Sequence, residues 1–109
     1  MDVKIMVHIE VTSLYPNVKG EEVQNVWNKV LQDPGIPSYV KSWKMFVKTT
    51  LKGFQTRVYI EIEEEKLGES VTDLNAFLAG FNEIEGYCVE YGIVYSLEEA
   101  LANQQAQQG

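Results

Sequence analysis

The chain holds one imidazole, His8, and one thiol, Cys88. An imidazole can act as acid or base near neutral pH, so His8 is the one catalytic candidate. Glu61 and Glu90 are carboxylates that could orient it, if their strands flank the strand carrying His8. Arg57 could clamp a carboxylate ligand through two parallel hydrogen bonds. It could equally pair with Glu10 or with a carboxylate of a second copy. The six tyrosines, Tyr15, Tyr39, Tyr59, Tyr87, Tyr91 and Tyr95, suit a pocket rim as well as an interface, because the ring buries well while the hydroxyl seeks a partner. His8, Arg57, Tyr59, Glu61 and Glu90 form the candidate ligand-binding set. The competing reading of His8 is a residue hydrogen-bonded within a dimer interface.

Imidazole and carboxylates together suit zinc or iron, and His8, Glu10, Glu61 and Glu90 supply both types. Their spacing gives no ligand motif, since they would come from three different strands, and neither a metal nor a cofactor is expected. Cys88 cannot form an intrachain disulfide, being alone. Its place in an apolar strand predicts an inert, buried thiol rather than a reactive one. The absence of disulfides suits a reducing, cytoplasmic setting.

These groups need a scaffold, and 109 residues suffice for a single domain. The formal charge is −7, from 16 acidic and 9 basic residues. No cluster of Lys and Arg could neutralise a phosphate backbone, which argues against nucleic acid and anionic membrane surfaces as partners. No apolar run reaches the roughly 18 residues of a membrane span. The start, MDVKIMVHIEV, alternates apolar and polar residues rather than forming a signal peptide.

Two periodicities divide the chain. Val3, Ile5, Val7, Ile9 and Val11 alternate with Lys4, Met6, His8 and Glu10, as in a half-buried strand. Thr12 to Gly20 reads as a loop. Val23, Val26, Trp27, Val30 and Leu31 then recur at helical spacing over Glu21–Gln32, and Asp33-Pro34-Gly35 ends that helix. Trp27 belongs to its apolar stripe. Val40–Thr50 and Phe54–Glu63 are strands joined by Leu51-Lys52-Gly53, a hairpin link. Trp43, Met45 and Val47 face inward on the first; Phe54, Thr56, Val58, Ile60 and Ile62 do so on the second. Glu63 to Lys66 reads as a solvated turn. Ser70 and Asp73 resemble a capping box, opening a helix through Val71, Leu74, Phe77, Leu78, Phe81 and Ile84. Tyr87–Tyr95 is the last strand. Ser96 caps a short helix, Leu97 to Ala102, and residues 103–109 form a polar, disordered tail beyond the domain of residues 1–102.

The order β-α-β-β-α-β predicts a ferredoxin-like α+β fold. Its antiparallel sheet of four strands would run 4-1-3-2, with two helices on one face. The other face would carry Lys4, Met6, His8, Glu10, Phe46, Arg57, Tyr59, Glu61, Cys88, Glu90 and Val94. Met6, Phe46, Tyr59 and Val94 could form an apolar patch there, which a two-fold homodimer would cover.

Over roughly residues 2–102 the pattern resembles the dimeric α+β barrel superfamily. The stretches that carry the likeness are KIMVHIEV, KSWKMFVKT, RVYIEIEE and AFLAGFNEIEGYCVEYGIVYSLEEAL. The group includes cofactor-independent monooxygenases, muconolactone isomerase-like enzymes and stress-response barrel proteins. The resemblance implies a homodimer with a cleft between sheet, helices and loops; Tyr39 follows Ile36-Pro37-Ser38, a loop that could cover such a cleft. No catalytic motif of an enzymatic branch matches, and His8 lacks the surroundings of a haem ligand. The leading expectation is a homodimeric protein assembled through its open sheet face, with a small-ligand site there. The alternative is a cofactor-independent monooxygenase or isomerase acting on a small aromatic or lactone-like molecule. An effector-sensing domain is a third reading, disfavoured because no DNA-binding or enzyme domain is attached.

Overall fold

A computed structural model describes residues 4–33 and 35–108, with the side chains of all but 103 and 105–108. Val3 and Pro34 therefore lie outside the described residues. The elements run β1 (Met6–Tyr15), α1 (Gly20–Gln32), β2 (Ser42–Thr50), β3 (Gly53–Glu63), α2 (Leu67–Leu78), β4 (Cys88–Val94) and α3 (Leu97–Gln108). The strands form one sheet in the order β2-β3-β1-β4, and every neighbouring pair is antiparallel.

Alternation decides which side of the sheet is buried. Val7, Ile9 and Val11 of β1 and Val58, Ile60 and Ile62 of β3 point one way and are buried. They meet Val23 and Trp27 of α1 and Leu74, Phe77 and Leu78 of α2 in a single core. Both helices thus cover the same face, as their apolar stripes require. An aromatic chain threads this core. Trp27 lies 5.1 Å from Phe81, which stacks on Tyr87 at 4.8 Å, and Tyr87 stacks on Tyr15 at 5.8 Å.

Several boundaries differ from the sequence reading. β1 continues through Thr12–Tyr15, where a loop is expected, because Ser13 and Tyr15 keep the inward alternation. The Tyr15 hydroxyl lies 3.1 Å from Thr56 Oγ1 on β3, so these two polar groups bury by pairing. α2 starts at Leu67, before Ser70, after a 3-10 turn over Glu64–Lys66. Ser70 is consequently inside the helix and buried, not its cap. The acidic run supplies the helix start, where negative charge is favoured by the dipole. Cys88 is exposed rather than buried. It lies on an edge strand, facing away from the helices.

The helix-side row of β4 is the least covered part of the sheet. Val89, Tyr91 and Ile93 lie beside Ser13, Val11 and Ile9 of β1. Ile93 is nevertheless 44% exposed, because α1 and α2 sit over β1 and β3. One polar tie crosses the gap: the Tyr91 hydroxyl donates to Asn75 Oδ1 of α2 at 2.7 Å.

Residues 103–108, expected as a disordered tail, continue α3. Residues 97–108 contain no Gly or Pro to end a helix. A capping box starts it: Ser96 Oγ accepts from the Glu99 N–H at 3.1 Å, and Glu99 Oε1 accepts from the Ser96 N–H at 2.9 Å. Leu97 and Leu101, one turn apart on α3, are both exposed.

Candidate functional site

The register places each side chain of the uncovered face. His8 of β1 sits between Glu61 of β3 and Val94 of β4, and Glu61 lies beside Ser42 of β2. Two residues further along β1, Glu10 sits between Tyr59 and Gly92. After two more, Thr12 sits between Arg57 and Glu90.

The five expected ligand residues therefore do not form one site. His8 and Glu61 come together, with His8 Nε2 3.5 Å from Glu61 Oε2. Glu90 lies four positions along the sheet from His8, about 13 Å at the rise of a strand, and cannot orient it. Arg57 is exposed and makes no ion pair among the described residues. Tyr59 packs edge-on against Phe46, ring centroids 6.1 Å apart. The residue that does join His8 is Glu99 of α3, whose Oε1 lies 3.0 Å from His8 Nδ1. The sequence reading misses it, although Ser96-Leu97-Glu98-Glu99 has the capping-box spacing that pins Glu99 next to the end of β4. The first turn of α3 thus touches the sheet face opposite α1 and α2, so that face is not wholly bare.

An apolar concavity lies on the helix side. A cavity of about 290 Å³ opens between the sheet, α1 and α2. Ile9, Trp43 and Ile60 form its floor, Val30 of α1 and Leu74 and Phe77 of α2 its walls, and Pro37, Tyr39 and Val40 its edge. The loop after α1 covers it because Gly35 takes φ +79°, turning the chain back over the helix end, and its N–H donates to the Val30 carbonyl at 2.9 Å.

Three polar groups line this apolar space. The Tyr39 hydroxyl donates to Asp73 Oδ2 at 2.6 Å, fastening the covering loop to α2. Ser70, one turn before Leu74, is 5% exposed, and its hydroxyl has no hydrogen-bond partner. Burial, then the hydrogen bond to Asp73, pushes the Tyr39 hydroxyl up to about 12. Tyr39 is thus held as a neutral hydrogen-bond donor. Burial does the same to Tyr87 in the core, again to about 12, with the Ser13 hydroxyl opposing it.

Both shifts favour the protonated phenol in the folded chain. Their stabilising contribution is complete below the ordinary tyrosine pKa of 10 and disappears as pH rises through about 12. A spectroscopic titration of the phenolates should show Tyr39 and Tyr87 ionising late, together with alkaline unfolding. Tyr87→Phe should remove one late step; two late steps persisting in that variant would refute the assignment.

No family model matches the chain, and no curated protein matches it. Among solved structures the chain is similar to a DUF3240 family protein from Shewanella baltica OS155, at 7% identity and a TM-score of 0.49. That match covers 87% of this chain and 93% of the other. No helix among the described residues is long and apolar enough to cross a membrane.

Proposed function

We propose that this chain is a homodimeric, ferredoxin-like protein of the dimeric α+β barrel kind that binds a small, largely apolar molecule. The ligand enters the helix-side cavity, not the open sheet face. The observation that carries the reading is the Ser70 hydroxyl, buried at the cavity wall near the Tyr39 hydroxyl but without a hydrogen bond of ordinary geometry. Leaving such a group unsatisfied costs about 1–3 kcal/mol, and a ligand with one polar atom would recover part of that. The volume sits at the small end of the roughly 300–1,000 Å³ of ligand pockets, which favours a single-ring molecule. Tyr39, kept neutral, acts as a donor rather than a base, and this favours binding over catalysis.

The homodimer is supported by surface that one copy leaves uncovered. Phe46 on the open sheet face and Leu97 and Leu101 on α3 are all exposed. A helix as short as α3 is marginal in water without a packing partner.

The test is a titration with p-cresol, and with toluene as its apolar counterpart, read by tryptophan fluorescence because Trp43 lines the cavity. Binding of p-cresol should quench or shift the emission and raise Tm. Ser70→Ala should leave the unliganded protein at least as stable and weaken p-cresol about two- to tenfold, without weakening toluene. Equal p-cresol affinity in both proteins, or no response to either compound, would overturn the ligand reading. Sedimentation at micromolar concentration tests the assembly separately, and a monomer would remove the dimer.

A further inference from the structure

We propose that His8, Glu61 and Glu99 form a binding site for a first-row divalent cation, on the sheet face opposite the cavity. The site is independent of the cavity reading.

His8 Nδ1 lies 3.0 Å from Glu99 Oε1, and Nε2 lies 3.5 Å from Glu61 Oε2. A neutral imidazole has one N–H and one lone pair. One of its two nitrogens would then aim a lone pair at a carboxylate oxygen. A cation standing between that nitrogen and the carboxylate relieves the contact. Charge favours the cation. Among the described residues, His8 is the sole ion-pair partner of Glu61 and of Glu99. A protonated ring would leave the group at −1, whereas a divalent ion beside a neutral ring brings it to zero.

The geometry is close to what such an ion needs. One ligand atom from each residue lies within 4.8 Å of the others. Ligands at the usual 2.0–2.2 Å around tetrahedral zinc are separated by about 3.3–3.6 Å, so an ion shared by His8 Nδ1 and Glu99 is reached by a change of the Glu61 rotamer away from Nε2. Mixed imidazole and carboxylate donors select a first-row divalent ion over calcium or magnesium. Glu99 is held in place by the Ser96 N–H on its Oε1, at 2.9 Å, the kind of supporting bond that orients metal ligands. The side chains of His8, Glu61 and Glu99 are 25%, 32% and 14% exposed. Water could therefore reach a fourth position, the arrangement of open rather than closed zinc sites. The ion would also tie α3 to β1 and β3.

Zinc titrated calorimetrically into the whole chain at neutral pH should bind with one ion per chain and raise Tm. Glu99→Gln and Glu61→Gln, near-isosteric changes, should each weaken zinc at least about tenfold. Glu90→Gln, a carboxylate of the same face outside the cluster, should leave the affinity unchanged. Cobalt substituted for zinc should give visible bands that His8→Ala abolishes. Circular dichroism establishes that each variant is folded, and any one folded glutamine variant suffices. The proposal is overturned if zinc does not bind. It is also overturned if the cluster variants bind as well as Glu90→Gln, which would mean diffuse attraction to surface carboxylates. NMR showing His8 doubly protonated at neutral pH with zinc present would assign the site to a proton instead.

Discussion

Phe81→Ala should cost about 3–5 kcal/mol of stability, the usual loss when a buried aromatic is truncated. Phe81 is 0% exposed and occupies the 3-10 turn Ala79–Phe81 that follows α2. Its ring lies between Tyr87 at 4.8 Å and Trp27 at 5.1 Å, so its removal opens a void at the middle of the aromatic chain. Neighbouring backbone belongs to α1, α2 and the turn itself, and such surroundings relax only in part. Domains of this kind have about 5–15 kcal/mol in total, so this one change removes roughly a fifth or more of that margin. The effect should extend to the cavity, because Trp27 also packs on Phe77, a cavity wall, at 5.4 Å. Urea unfolding followed by circular dichroism measures it, with Phe81→Leu as a milder control. A loss below about 1 kcal/mol for the alanine variant would mean that the core does not close around this ring.

Gly53→Ala should be the most damaging change on the β2–β3 hairpin. Gly53 has φ +134°, a conformation that side chains rarely adopt. A β-carbon there would also overlap the carbonyl oxygen of Tyr15, a backbone atom at the end of β1. The turn has little freedom to yield, since Thr50 Oγ1 donates to the Gly53 carbonyl at 2.6 Å. Backbone strain of this kind costs about 1–3 kcal/mol, and the overlap adds to it, so a loss of at least about 2 kcal/mol is expected. Lys52→Ala, at an exposed neighbour, should stay within about 0.5 kcal/mol. Thermal and urea unfolding of the two variants make the comparison, and equal stability would contradict the hairpin geometry.

The inward faces of the strands are readable from sequence because burial and residue type agree. Val7, Ile9 and Val11, and Val58, Ile60 and Ile62, carry a period of two that nothing else explains. The sequence misleads where polar residues are buried. Ser13 lies inside the β1–β3 ladder opposite Thr56, yet Thr12-Ser13 reads as the end of a strand. Ser70 shows the same ambiguity. Three residues before Asp73 it looks like a cap, and only the Glu64–Lys66 turn reveals that the helix has already begun. The candidate site is less legible still. His8 and Glu61 are found because adjacent strands place them side by side, whereas Glu99 depends on where a helix goes after leaving the sheet. The cavity depends on the space between side chains, and the sequence offers only Tyr39 and its loop as a hint of it.

The central position of β1 has a consequence for biosynthesis. It emerges from the ribosome before either strand that flanks it, for β3 starts at Gly53 and β4 at Cys88. The β2–β3 hairpin, closed by a two-residue turn, can form on its own as a local unit. β1 must wait for that hairpin to dock, and its other side stays bare until nearly the whole domain has been translated. A nascent chain stalled before Cys88 would therefore present an apolar strand with an open backbone edge, the kind of surface on which chains aggregate and chaperones act.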